Sequence, residues 1–148
     1  MKPNRRLLDS LKVLNNFENE IQKVFEQLNI DPQNEDFVSL ENITSIDPIE
    51  DLFLRERIIF ISNQLQSIKE DIAYLNQPIT LSGELFKKSD QRFYLHDFVL
   101  TAGCLVEIKD DDGEWNLTRI EHDGKDYYAV TLGKDKNLVN RLCRIRSK

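Results

Sequence analysis

Two histidines, two cysteines and one run of acids are the residues of this chain whose types invite chemistry. His122 stands between Glu121 and Asp123, neighbours that an acid-base pair or a metal site would use, and His96 lies at the end of another segment. Both sit beside turn signals, where a polar side chain more often serves the turn than a reaction. Neither a G-x-S-x-G elbow nor a Cys and His at a known catalytic spacing supplies a nucleophile. Asp110-Asp111-Asp112-Gly113-Glu114 is acidic enough to suggest calcium, but an EF-hand loop needs ligands at alternating positions and a distant Glu between two helices. Here the run joins two strands and reads as a charged hairpin tip. Cys104 and Cys143 fall in different predicted strands with no further Cys or His at metal spacing, which predicts buried free thiols. The single glycines form no phosphate loop. The expectation is a chain without catalytic residues, cofactor or metal.

Binding signals are stronger. Lys134, Lys136, Arg141, Arg144, Arg146 and Lys148 face a single Asp135, a local charge of +5 in a chain whose total is −6. Strand alternation puts Arg144 and Arg146 on one face and Cys143 and Ile145 on the other. A basic strand face beside an aromatic such as Tyr127 or Tyr94 is what a nucleic-acid groove uses, with charge following phosphates and rings stacking on bases. Acids nearby, Asp123 and Asp126 among them, are the competing partners for those cations. Lys134, Lys136, Arg141, Arg144 and Arg146 are therefore candidate contacts for nucleic acid or an acidic partner. Trp115, in a strand, is assigned to the core.

The elements that must carry these residues divide at one point. All four prolines (Pro3, Pro32, Pro48, Pro78) precede residue 79 and all five glycines follow it, so helix punctuation gives way to turn punctuation near Asn76-Gln77-Pro78. Residues 1 to 78 carry 8 Lys/Arg against 14 Asp/Glu, whereas 79 to 148 carry 12 against 12. All the excess acid lies in the first part.

In that part a first helix is predicted from about Arg5 to Leu28, with Leu7, Leu11, Leu14, Ile21, Phe25 and Leu28 at steps of three and four interrupted only by Glu18, and with Leu8, Phe17 and Val24 widening the stripe. Asp47, Pro48 and Glu50 supply an N-cap, a first helical residue and a capping-box acid for a second helix. Its residues Leu54, Ile58, Ile61, Leu65, Ile68, Ile72 and Leu75 fill seven successive core positions of a heptad pattern. Such a stripe needs a partner, since each buried side chain contributes roughly 1.5–3 kcal/mol before entropy is subtracted. The first helix is the nearest, through a connection with a turn at Asp31-Pro32 and a short apolar element of Phe37, Val38, Leu40, Ile43 and Ile46. Leu52, Phe53, Ile59 and Phe60 remain to be covered by the linker, the barrel or a second copy of the protein, the last of which points to a homodimer.

The second part predicts strands at about 79–87, 91–95, 103–109, 114–121, 126–132 and 141–146, with hairpin turns at Asp112-Gly113 and Asp123-Gly124. Short strands with tight turns over some 70 residues imply a small SH3-like barrel. The predicted class is thus α+β: a coiled-coil-like antiparallel helical hairpin over 1–78, then an SH3-like β-barrel over 79–148. No apolar run reaches the roughly 18 residues of a spanning helix, and the basic opening lacks the continuous apolar stretch of a signal peptide. A cytoplasmic location without membrane contact is expected.

Gly83-Glu84-Leu85, Arg92-Phe93, Gly103-Cys104-Leu105-Val106-Glu107-Ile108, Gly113-Glu114-Trp115, Arg119-Ile120-Glu121 and Tyr127-Tyr128 together resemble a small domain-of-unknown-function family of Firmicutes, found in short phage and integrative-element proteins. The resemblance covers about residues 79 to 146 and implies a mobile-element setting. It brings no catalytic residue or ligand with it. The leading expectation is a non-enzymatic interaction or adaptor protein, its helices dimerising or docking onto a larger partner; the alternative is a nucleic-acid-binding accessory in replication or regulation, working through the basic closing strand.

Overall fold

The computed structural model of the chain describes residues 2–41 and 47–148. It is an α+β protein of two compact units, Met1–Asn76 and Gln77–Lys148.

The helical unit opens with α1 (Arg5–Leu28), whose first turn is capped by Asn4 accepting from the Arg6 N–H at 2.8 Å. It ends where Asn29 turns left-handed, φ 53°, and its N–H reaches back to the last turn. A single 3-10 turn at Pro32–Asn34 and the short α2 (Val38–Glu41) follow, with Ile30 and Phe37 buried against Ile21 and Phe25. The connection therefore closes over the end of α1, as its apolar residues predicted. Ile43 and Ile46, assigned to the same element, lie outside the described residues. α3 (Pro48–Asn76) begins at Pro48, and Asp47 accepts from the Glu50 N–H at 3.2 Å.

α1 and α3 touch through an unexpected seam. Asn15 and Asn76 exchange side-chain hydrogen bonds, one of them 3.0 Å long, and Lys69 donates to Gln22 at 2.6 Å. Later residues of α1 therefore meet earlier residues of α3. Ser62 and Gln66 are buried on α3, and Ser62 is satisfied by the Ile58 carbonyl at 2.8 Å. Short and amide side chains thus share the seam with the aliphatic residues Ile59 and Leu65. These two residues of α3 pack against the cluster of Ile21 and Phe25, while the Asn15–Asn76 and Gln22–Lys69 contacts lie at the exposed rim of the seam.

The β unit holds β1 (Ile79–Glu84), β2 (Phe86–Lys87), β3 (Phe93–Leu95), β4 (Phe98–Val99), β5 (Leu105–Lys109), β6 (Trp115–His122), β7 (Tyr127–Ala129) and β8 (Leu142–Arg146). They form a five-stranded sheet in the order β1-β8-β5-β6-β7 and a three-stranded sheet in the order β2-β3-β4, with every pair antiparallel. Leu85 links the two sheets, donating to the Arg141 carbonyl and accepting from the Asn140 N–H. Alternation sends Val106, Ile108, Ile120, Cys143 and Ile145 inward, where they meet Leu85, Phe93, Leu95, Leu100, Ala129 and Leu138.

Turn chemistry explains where strand boundaries differ from expectation. Gly113 and Gly124 take φ of 80° and 95° in the two predicted hairpins, but Gln91, His96 and Asn140 are also left-handed, at 65°, 53° and 67°. A turn at His96 admits the short strand β4, which no glycine announced. Gly83 lies within β1, inside the strand predicted over 79–87. A Cβ there would lie 2.9 Å from Nε2 of His96, whose ring bonds the Ser82 carbonyl at 2.8 Å.

Candidate functional site

The basic closing segment is built around acids. β8 lies between β1 and β5, and its register places Arg144 opposite Glu107. Glu107 is only 7% exposed although it belongs to the outward face of β5. Arg144 Nε donates to its Oε1 at 2.9 Å and Arg146 Nε to its Oε2 at 2.8 Å, so each carboxylate oxygen is held by one guanidinium. Arg146 also donates to the Gln77 carbonyl at 3.2 Å. The Arg144 guanidinium stacks 4.2 Å from the Trp115 ring centre, with Lys109 at 5.3 Å. Trp115 is 37% exposed, which corrects its assignment to the core. It is the first residue of β6 and shares the outward face with Leu117, opposite Lys109 in the register. A Trp flanked by two cations needs no burial to be held.

Lys136 and Arg141 converge on Asp111, at 2.9 and 2.7 Å, and Arg141 also donates to the carbonyls of Asn137 and Lys109. The acid run is thus divided in its duties. Asp110 accepts from the N–H groups of Asp112 and Glu114 and from Asn116, which shapes the hairpin, while Asp111 binds cations. Four of the five candidate basic residues are therefore ion-paired inside the unit. Their partners are Asp111 and Glu107, whereas Asp126, which the sequence offered, takes Lys87 at 2.8 Å. Lys134 lies 5.2 Å over the Tyr128 ring. It lines an open cleft of about 230 Å3 with Lys87, Tyr127, Lys136 and the acids Asp123 and Asp126. Mixed charge of this kind gives no single-sign field for a phosphate chain.

These contacts hold four carboxyls of the β unit below the ordinary value of 3.8: Asp110 through the Glu114 N–H, Asp111 through Lys136 and Arg141, Asp123 through the Asp126 N–H, and Asp126 through Lys87. A depressed carboxyl contributes stability that is complete above its unfolded pKa and is lost as pH falls through the folded one. Denaturant melts of the β unit should accordingly be flat from neutrality to about pH 4 and weaken below it. A midpoint that rises on acidification would contradict these assignments.

The remaining reactive types are occupied locally. His122 Nδ1 accepts from the Gly124 N–H at 3.1 Å, and its ring meets Tyr127 edge-on at 4.6 Å. Cys104 and Cys143 are free thiols, and burial pushes Cys143 up to about 12 and raises Cys104. Among the described residues no three His, Cys, Asp or Glu side chains gather as a metal would require. No described helix is long and apolar enough to cross a membrane.

The candidate helix interface separates into two faces. Ile72 is buried and Ile58 and Leu65 are half-buried, whereas Leu54, Ile61, Ile68 and Leu75 are 47%, 50%, 43% and 46% exposed. The exposed members recur every seven residues and share a face. On α1, Leu7, Leu14 and Phe17 are exposed as well. Glu107 was the functional residue missed in the sequence, although an acid between Val106 and Ile108 in a strand was a visible sign of an ion pair. The seam residues Ser62, Gln66 and Lys69 were missed too, because polar residues at helical spacing look like a solvated face.

With the geometry in hand, the comparison with families is specific to the β unit. Residues 83–147 match the model of a domain of unknown function, DUF5348. The DUF5348 segment runs from Gly83 in β1 past the end of β8, so it includes Glu107, Trp115 and both arginines that hold Glu107. The helices lie outside it. No curated protein and no solved structure matches the chain.

Proposed function

We propose that the protein is a non-enzymatic interaction protein of the cytoplasm, in which an antiparallel helical hairpin supplies the binding surface and a small SH3-like barrel carries the DUF5348 segment. The observation that supports this reading is the row of half-exposed aliphatics on α3, Leu54, Ile61, Ile68 and Leu75. Scattered surface leucines are ordinary, but a contiguous apolar row on one helix marks an interaction site. The seam with α1 does not cover it, being made partly of Asn15, Asn76, Gln22 and Lys69. A mobile-element accessory role follows from the family resemblance alone.

The reading distinguishes a binding surface from a core. Charged residues at Ile61 and Ile68 should leave the fold intact if these positions serve a partner. The Ile61→Glu/Ile68→Glu chain is expected to keep its helical circular dichroism and to lose apolar dye binding. Collapse of the helical signal would mean that the row is structural, and the reading would fall. Direct nucleic-acid binding is the weaker reading, because Lys136, Arg141, Arg144 and Arg146 already have carboxylate partners.

A further inference from the structure

The apolar row has a shape that selects its occupant. Helical geometry places Leu54, Ile61, Ile68 and Leu75 within a narrow sector, roughly a quarter turn from the seam residues Ser62, Gln66 and Lys69. On α1, Leu7 and Leu14 are displaced from Asn15 and Gln22 in the same rotational sense, on the line that is continued by the buried Ile21. Because later residues of α1 meet earlier residues of α3, the two displaced faces emerge on the same side of the pair. One broad apolar face results. Its six side chains are each about half exposed, and at roughly 200 Å2 for a large side chain they offer on the order of 600 Å2 per copy. That is comparable with the roughly 800 Å2 each partner contributes to a standard interface.

We infer that the occupant is a second copy of this chain, with α3 lying antiparallel to α3 of the second copy about a two-fold axis near Gln64. This rests on the reading of the helices as an interaction surface. The row is self-complementary about that axis: Leu54 meets Leu75 of the second copy, and Ile61 meets Ile68. Each such pair forms twice, as a two-fold interface requires. The row pairs centre between Gln64 and Leu65, and the flanking charges centre on Gln64, half a residue or about 1 Å of helix rise away. Arg57 is seven residues before Gln64 and Asp71 seven after it, so each Arg57 faces an Asp71 of the opposite sign, with the two glutamines at the axis. Both side chains are exposed, and the Arg57 guanidinium rests 4.6 Å over Phe60 on the edge of the row. A parallel arrangement would instead set Arg57 against Arg57. Packing two helix pairs in this way gives a four-helix bundle, in which apolar faces of this width are covered.

Sedimentation equilibrium of the full native chain tests the inference without a variant, and the expected result is a reversible dimer. Arg57→Asp alone and Asp71→Arg alone each bring like charges together twice and should weaken the dimer by about tenfold or more. The double variant, with the pair reversed, should return to within a few-fold of the native constant. A native chain that stays monomeric across the concentration range overturns the inference. So does a double variant no stronger than the singles. A monomer whose Ile61→Glu/Ile68→Glu variant still folds would leave the helices as a surface for another protein, whereas unfolding of that variant sinks both readings.

Discussion

Replacing Arg144 and Arg146 together by alanine is expected to destabilise the β unit by about 3 kcal/mol. The reason is the carboxylate they leave behind. Glu107 is almost wholly withdrawn from solvent, and each of its oxygens accepts from one of these arginines. Removing one side of a buried pair costs more than the pair contributes, since the surviving charge keeps its desolvation penalty. The arginines are themselves partly exposed, at 23% and 20% of their side chains, which holds the expectation at the lower end of the usual range for buried pairs. Urea unfolding followed by circular dichroism measures it. Adding Glu107→Gln to the double variant should recover part of the loss by removing the charge, and a triple variant no better than the double would argue that lost packing on Trp115 dominates. The same experiment bears on nucleic acid. Loss of nucleic-acid binding on reversing Arg144 and Arg146 would be confounded by unfolding, so Lys134, which stacks on Tyr128 at the rim of the cleft, is the cleaner position for a charge change.

Ile108→Ala should cost about 3–4 kcal/mol, and Ile108→Val about 1 kcal/mol. Ile108 is fully buried in β5, the strand between β8 and β6, where it stands opposite Cys143 on one side and Asn116 on the other. A void there cannot collapse easily, because both neighbouring strands are held by hydrogen bonds. Leu117→Ala on the outward face of the adjacent strand serves as the comparison. That side chain is 40% exposed, and the loss should be under about 1 kcal/mol. Comparable shifts in melting temperature for Ile108→Ala and Leu117→Ala would mean that the outward face is covered as thoroughly as the core. The difference is large against the roughly 5–15 kcal/mol by which domains are stable.

What the sequence made legible was the chemistry that acts within a few residues. Asp47 and Pro48 declared the start of α3, and Arg5 and Leu28 were the limits of α1, because caps and proline constraints are local. Alternation placed Arg144 and Arg146 opposite Cys143 and Ile145, and it held because β8 is regular. The turn at His96 was hidden, since a left-handed histidine is indistinguishable in sequence from an extended one. The orientation of α3 was hidden for another reason. Its aliphatics spread over more than one face, so periodicity could not say which would meet α1. Ile59 and Leu65 pack on the cluster of Ile21 and Phe25, and the rim pairs Asn15–Asn76 and Gln22–Lys69 span 61 and 47 residues. The partners of the arginines were likewise distant, with Glu107 37 residues from Arg144. Trp115 was misplaced because a strand residue can face either way, and only the cations of neighbouring strands decided it.

The amide seam between the helices also works as an alignment key. Asn15 and Gln22 are one heptad apart on α1, and their partners Asn76 and Lys69 are one heptad apart on α3. Both pairs lie at the exposed rim of the helices, so a slip of one turn parts them at once and leaves water to take their place, a bias of modest size toward the observed setting. Together with the packing of Ile59 and Leu65 on Ile21 and Phe25, the seam favours one setting of α1 on α3. It thereby also biases the direction in which the greasy sides of the two helices point, like a keyed plug that must be fully home before its contacts line up.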